Sequence, residues 1–231
     1  MKRFKKILFD ADDTLLDFKT SEEEALRQTF QKHGYVLSPE IARIYERINK
    51  DLWKQYEMGN ISRETVIYSR FGLLFKEVDI QEDGVAFEDD YQEILGMQHF
   101  LIEGAFDVVK NLAKEFDLYI VTNGVTRTQL QRLKDSGLDN FMKQIFVSED
   151  TGYQKPMKEY FDYCIERIPD FDYKEAIIIG DSLSSDIKGG NNIGVKTCWY
   201  NPRKLTNTTD SRVDYEIEEL NQLYDILGME V

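Results

Sequence analysis

Four short apolar runs, each cut off by polar residues, constrain this chain more than any other feature. They are Ile7-Leu8-Phe9, Leu118-Tyr119-Ile120-Val121, Ile145-Phe146-Val147 and Ile177-Ile178-Ile179. A continuous apolar run of that length predicts a strand covered on both faces. A fifth strand is expected between Val195 and Tyr200. Between the runs the apolar residues recur at helical spacing: Val108, Val109, Leu112 and Phe116, then Leu130 and Leu133 ahead of Gly137. Met157, Tyr160, Phe161, Cys164, Ile165 and Ile168 form another such series, which Pro156 is expected to open as its first helical residue. Strand and helix in alternation predict an α/β protein with a doubly wound parallel sheet.

The alternation stops after the first strand. Thr20 with Glu23 reads as a capping box ahead of Leu26 and Phe30. Ser38-Pro39 opens a series through Ile41, Ile44, Tyr45, Ile48 and Leu52. Ser62 opens Val66, Arg70 and Leu73, and Phe87, Tyr91 and Leu95 follow. The reading is an all-helical insert over residues 18–99 in a core made of residues 1–17 and 100–231. An insert of that length beside a strand end suits a lid over a site. Near the C-terminus, Tyr215 and Ile217 predict an edge strand, and Leu220, Leu223, Tyr224 and Leu227 a closing helix.

Charge narrows the partners. The 231 residues hold 29 Lys and Arg against 43 Asp and Glu, a net charge of −14. That balance argues against nucleic acid and against anionic membranes as partners; it leaves monomer and homodimer both open. A small anionic substrate would need positive potential made locally, by a cation, a lysine or helix N-termini. Cys164 and Cys198 show no CxxC spacing and read as reduced core thiols, which suits a cytoplasmic protein. The start Met1-Lys2-Arg3-Phe4-Lys5-Lys6 is basic, but Asp10, Asp12 and Asp13 cut the apolar run behind it, so no signal peptide is expected. No uncharged apolar run approaches the roughly 18 residues of a membrane span.

In a doubly wound sheet, sites form where the strands end. The residues there are Asp10, Asp12, Asp13 and Thr14, then Thr122, Asn123 and Gly124, then Lys155, then Asp181, Ser182 and Asp186. Carboxylates gathered in one crevice repel one another and call for a hard cation with oxygen ligands, such as Mg²⁺. Plainer roles exist for the same residues. Thr122 and Asn123 also suit the N-cap of the helix containing Leu130, Lys155 a solvated position before a proline, and Asp186 a helix N-terminus.

Asp10-Ala11-Asp12-Asp13-Thr14, Thr122-Asn123, Lys155-Pro156 and Gly180-Asp181 with Asp186 together resemble the four ordered motifs of the haloacid dehalogenase (HAD) superfamily. The resemblance spans almost the whole chain, with the insert where that family carries a helical cap. It implies a Rossmann-like core and an aspartyl-phosphate mechanism. In it Asp10 is the nucleophile and Asp12 the general acid and then base. Thr122 and the backbone around Ala11, Asp12 and Asn123 hold the phosphoryl oxygens, and Lys155 neutralises their charge. Mg²⁺ is held by Asp10, the Asp12 carbonyl and Asp181, with Asp186 supplying a further ligand or orienting a bound water. Family members that cleave carbon–halogen bonds lack an acid at the place of Asp12, so the resemblance favours phosphoryl chemistry. Asp13 stands where the family commonly has Gly; Asp tolerates that turn.

The continuation through Leu15-Leu16-Asp17-Phe18, with Thr122-Asn123-Gly124, Ser148-Glu149-Asp150-Thr151-Gly152 and Gln154-Lys155-Pro156, is similar to bacterial pyrimidine 5′-nucleotidases. These act on UMP, dUMP and dTMP. The resemblance extends to Asn49, Trp53, Arg70 and Phe71 in the insert, which become candidates for holding the leaving group. Tyr56 and Tyr68 are further aromatics there, and aromatics at helical spacing also suit a bundle core. The alternatives are a phosphoglycolate or sugar-phosphate phosphatase with the same motifs, a phosphomutase and, in a different class, a phospho-accepting signalling or binding module.

Overall fold

The computed structural model describes residues 3–229. Met1 and Lys2 of the basic start therefore lie outside the described residues. Contacts along the chain separate two compact units: residues up to Phe18 together with those from His99 onward, and Lys19–Gln98 between them.

The first unit is built on six parallel strands, β1 (Lys6–Phe9), β2 (Asp117–Thr122), β3 (Met142–Val147), β4 (Ala176–Gly180), β5 (Lys196–Tyr200) and β6 (Tyr215–Ile217), in the order β3-β2-β1-β4-β5-β6. Strand periodicity of two sends successive side chains to opposite faces. Ile7, Phe9, Leu118, Ile120, Ile177 and Ile179 enter one core, whereas Leu8, Tyr119, Val121, Ala176 and Ile178 enter the other. Both faces are buried, which is why the runs carry no polar alternation. The order reverses at β1, with β2 on one side and β4 on the other. The chain therefore leaves β1 into the crevice where a doubly wound sheet binds its ligands.

The second unit consists of helices α1 (Phe18–Lys32, its first residue belonging to the sheet unit), α2 (Pro39–Glu57), α3 (Arg63–Val78) and α4 (Gly84–Gly96). Ser38 caps α2 by accepting from Ile41 N–H at 3.2 Å, and Ser62 caps α3 by accepting from Thr65 N–H at 3.1 Å. Thr20 does not open α1, which begins two residues earlier. The Asp17 N–H is held by the Phe100 carbonyl at 2.9 Å, so a long-range pairing sets where the helix starts.

The remaining helices return to the sheet unit: α5 (Ala105–Leu112), α6 (Thr126–Asp135), α7 (Ser148–Thr151), α8 (Lys158–Ile165), α9 (Lys188–Ile193) and α10 (Leu223–Leu227). Val108, Val109 and Leu112 of α5 cover one face of the sheet with Leu223 and Leu227 of α10; Tyr160, Phe161 and Cys164 of α8 cover the other. Two expectations need correction. Pro156 follows Lys155 through a cis peptide and does not open α8, which starts at Lys158 and ends before Ile168. In α6 the apolar pattern holds for one residue of two: Leu133 is buried, but Leu130 is 44% exposed, and Thr128, Gln129 and Arg132 fill the rest of the buried face. Cys164 and Cys198 are free buried thiols. Among the described residues no helix is long and apolar enough to cross a membrane.

Candidate active site

Asp10 follows β1 directly and is buried. Its Oδ1 accepts from Lys155 Nζ at 2.6 Å and its Oδ2 from the Thr14 hydroxyl at 3.3 Å. Lys155, 2% exposed, also donates to Asp186 Oδ1 at 2.6 Å and to the Val121 carbonyl at 2.8 Å. All three Nζ hydrogens are thereby used and the ammonium has one position available to it. Asn123 holds the lysine's backbone from both sides: its Oδ1 accepts from Lys155 N–H at 2.9 Å and its Nδ2 donates to the Lys155 carbonyl at 3.0 Å.

That pair of hydrogen bonds is the role the structure gives the Asn123 side chain, in place of a helix cap. The residue before α6 is Val125, and the free Thr126 N–H is taken by Glu149 Oε2 at 2.7 Å, from α7. Asp13 occupies the left-handed region, with φ 56°. A tight turn forms there: Leu15 and Leu16 N–H both reach the Ala11 carbonyl at 2.9 Å, and Asp13 N–H reaches the Leu16 carbonyl at 2.8 Å. Thr14, fully buried, ties this turn to the end of β4, its hydroxyl accepting from Asp181 N–H at 3.1 Å.

Asp186 is no helix-terminal surface charge. It is fully buried in a π-turn over Leu183–Ile187, with Oδ1 on Lys155 and Oδ2 accepting from Ser182 N–H at 3.1 Å. A Cβ on Gly180 would lie 2.2 Å from Asp186 Oδ2, so a glycine at the end of β4 is what lets that carboxylate enter. Asp181, partly buried, has its carbonyl held by Trp199 Nε1 at 2.8 Å.

Carboxylate oxygens of Asp10, Asp181 and Asp186 lie within 4.8 Å of one another. Burial and the Asp186 charge push Asp10 up to about 8 against the pull of Lys155. Burial, with Asp10 and Asp186 nearby, pushes Asp181 well above the carboxylate range, while burial alone would lower Lys155 but the two carboxylates raise it. Three carboxylates facing one ammonium leave a surplus of negative charge. Oxygen donors at this separation with that surplus fit a hard divalent cation, and neutralising the surplus would return both aspartates to their ionised forms.

Asp12, two residues beyond Asp10, is more open, with 28% of its side chain exposed. Its Oδ1 pairs with Arg132 Nη1 at 2.5 Å and its Oδ2 accepts from Gln129 Nε2 at 2.7 Å. Thr122, at the end of β2, accepts from the same Gln129 nitrogen at 2.9 Å. Sequence reading missed Gln129, Arg132 and the positioning part of Thr14. The spacing of three residues between Gln129 and Arg132 was the one available signal, and the two leucines beside them masked it.

The candidates in the helical unit serve its interior. Arg70, 2% exposed, makes a bidentate pair with Glu88 at 2.6 and 2.7 Å and donates to Asn49 Oδ1 at 3.0 Å. Its guanidinium also lies 4.8 Å from the Tyr91 ring centroid. Asn49 Nδ2 donates to Glu22 at 2.8 Å. Phe71 is buried against Tyr45, Phe87 and Tyr91 at 5.2, 4.7 and 5.3 Å. Trp53 is half-buried, edge-on to Tyr56, and Tyr68 is exposed.

The reversal of the parallel sheet at β1 brings paired aspartates and a lysine-bridged acidic cluster to one place. The chain belongs to the haloacid dehalogenase-like hydrolases, whose family profile matches residues 7–200, and its class is that of the phosphoric monoester hydrolases. It is 50% identical to the HAD-hydrolase YfnB of Bacillus subtilis over 100% of this chain and 98% of the relative. The magnesium-bound crystal structure of YfnB superposes with a TM-score of 0.94, covering 99% of this chain and 100% of that one. Pyrimidine 5′-nucleotidase PynA of Streptococcus pneumoniae is 37% identical over 99% of this chain and 97% of its own. Pyrimidine 5′-nucleotidase YjjG of Escherichia coli is 28% identical over 96% of each.

Proposed function

We propose that the enzyme hydrolyses nucleoside 5′-monophosphates, with pyrimidine nucleotides such as UMP, dUMP and dTMP preferred, through a phosphorylated Asp10. The observation that carries the reaction is the division of labour between two neighbouring carboxylates: Asp10 bound to Lys155, Asp12 held separately by Arg132 and Gln129. The nucleotide assignment rests on the full-length likeness to PynA and YjjG.

In the first half-reaction an Asp10 carboxylate oxygen bonds to phosphorus as the ester P–O bond breaks, and the Asp12 proton passes to the departing alkoxide, releasing the nucleoside. In the second, water bonds to phosphorus, its proton goes to Asp12, and the bond from phosphorus to Asp10 breaks to release orthophosphate. Lys155 holds the nucleophile's orientation and opposes charge on the transferring group. Thr122 and the backbone around Ala11, Asp12 and Asn123 are assigned to the phosphoryl oxygens. Asp10, Asp181, Asp186 and the Asp12 carbonyl would hold Mg²⁺, which when bound supplies charge neutralisation for a dianionic substrate.

In the helical unit, which we assign as a cap over residues 18–99, Trp53 has the partly exposed ring suited to stacking a base. Asn49, Arg70 and Phe71 are committed to the unit's own packing and keep at most an indirect part.

The test is phosphate release at neutral pH with Mg²⁺ from nucleoside monophosphates, sugar phosphates and phosphoglycolate, wild type beside Asp10→Asn. Fastest turnover of pyrimidine monophosphates, lost in the variant by about 10⁴-fold or more, is the expected result. Release confined to sugar phosphates or phosphoglycolate would keep the nucleophile and discard the nucleotide.

A further inference from the structure

Arg132 and Gln129 lie one turn apart on the buried face of α6 and form a closed set of bonds. Arg132 Nη1 donates to Asp12 Oδ1 at 2.5 Å and to Gln129 Oε1 at 2.9 Å. The second bond fixes which end of the Gln129 amide is oxygen. The nitrogen end therefore faces the strand ends, with one hydrogen on Asp12 Oδ2 at 2.7 Å and the other on Thr122 Oγ1 at 2.9 Å.

Each bond has a consequence for the group it holds. The Thr122 hydroxyl accepts from Gln129 and, at 3.3 Å, from Gly124 N–H. Both its lone pairs are then in use, and its own hydrogen is left to donate elsewhere, to a phosphoryl oxygen. The Asp12 carboxyl receives one donor on each oxygen. This fixes its plane and still leaves a further lone pair on each oxygen to exchange a proton with substrate or water. Gly124 makes room for the device, since a Cβ there would lie 2.4 Å from Gln129 Cγ.

We propose that Gln129, oriented by Arg132, is a positioning residue that sets the Asp12 carboxyl and the Thr122 hydroxyl together for phosphoryl transfer. The inference rests on the roles assigned to Asp12 and Thr122 in the preceding subsection. It makes the two α6 residues matter most where the leaving group needs a proton: an alkoxide leaves badly without one, a nitrophenolate leaves unaided.

Gln129→Leu and Arg132→Met are compared with wild type on p-nitrophenyl phosphate and on whichever alkyl monophosphate the wild type turns over fastest. The quantity read is kcat/KM, which spans only the steps up to phosphorylation of Asp10. The alkyl phosphate is expected to lose about 100-fold, within the usual share of general acid catalysis, and p-nitrophenyl phosphate about tenfold less than that. Arg132→Lys, which keeps a donor for Asp12 but not the planar fork, is expected to fall between wild type and Arg132→Met. The ratio of two substrates on one preparation is independent of how much enzyme is folded. Equal losses on both substrates would mean that the pair does not act through the Asp12 carboxyl, and faster alkyl turnover would mean that it restrains Asp12; either result overturns the proposal that the two groups are set together. A wild type that prefers a sugar phosphate to dUMP would break the nucleotide assignment and leave this comparison intact.

Discussion

The two units each bury a cluster of charges, made of similar groups and left in opposite electrostatic states. In the helical unit, Arg70 and Glu88 form a bidentate pair closed by Asn49, Tyr45 and Tyr91. Burial alone would lower the Arg70 pKa, but Tyr45 and Glu88 beside it outweigh that and raise it above the usual value. In the sheet unit, Asp10, Asp181 and Asp186 face one Lys155, and burial with mutual repulsion pushes Asp10 and Asp181 towards their neutral forms. In the first cluster the cation and the anion match one for one inside the unit. The second has its surplus charge where a ligand would have to supply the balance, and strongly perturbed groups of this kind mark functional sites. Burial of charge alone would not have separated structure from site; the sign and completeness of the pairing do.

The largest effect that tests this contrast comes from breaking the balanced cluster. Glu88→Ala leaves Arg70 buried without its anion and should cost about 3–5 kcal/mol in urea unfolding, with phosphate release per folded molecule retained. Asp10→Asn should do the reverse, abolishing turnover while leaving the unfolding midpoint unchanged or raised. A stable Glu88→Ala would show that the helical cluster is not structural and sink the contrast.

Cation binding comes next in size. EDTA is expected to stop phosphate release and added Mg²⁺ to restore it. In thermal unfolding, Mg²⁺ at a hundred times its Kd should add about 3 kcal/mol, reduced in Asp181→Asn and unaltered by changes at Arg70. An Mg²⁺ effect of equal size in wild type and Asp181→Asn would place the ion elsewhere.

The smallest effect concerns an ordinary ion pair. Asp214, bonded to Lys196 and to Thr197 N–H at 3.2 Å, is 9% exposed at its side chain. Burial raises its pKa, but the Lys196 and Thr197 bonds outweigh this and hold it below the usual value. A carboxylate depressed in the folded state stabilises above its unfolded pKa, and that contribution fades as pH falls through the folded value. Asp214→Asn should therefore lower stability by about 1 kcal/mol at neutral pH and flatten its decline in acid. Urea midpoints from neutral pH down to about pH 3, below the ordinary aspartate pKa, would check this, and an unaltered acid slope would contradict it.

Asp10, Asp12 and Asp181 stood out because strands announce themselves as apolar runs and parallel sheets place polar groups where those runs stop, whereas Lys155 lies beyond the end of its run at Val147 and stood out only through its motif. Thr122 and Asn123 also stand where a strand stops, but the bonds their side chains make reach Gln129 and Lys155, seven and thirty-two residues away. The buried face of α6 was read only at Leu133, for a physical reason. Apolar periodicity marks a helix face buried against hydrocarbon, and this helix buries a polar face, Thr128, Gln129 and Arg132, with Gln129 and Arg132 bonded to the carboxylate of Asp12. Arg70 was singled out in the sequence as a candidate for the leaving group, and only the fold disclosed that Glu88, eighteen residues on, had already claimed it.

The sequence by itself determined the strand runs, the helical insert, the four motifs and the residue types gathered at the strand ends, since these depend on local periodicity and on the residues that follow each strand. Tertiary structure alone decided which buried charges are balanced and which are not. That distinction depends on distances of a few ångströms between residues far apart in the chain, and Coulomb energies in a poorly screened interior change steeply over such distances.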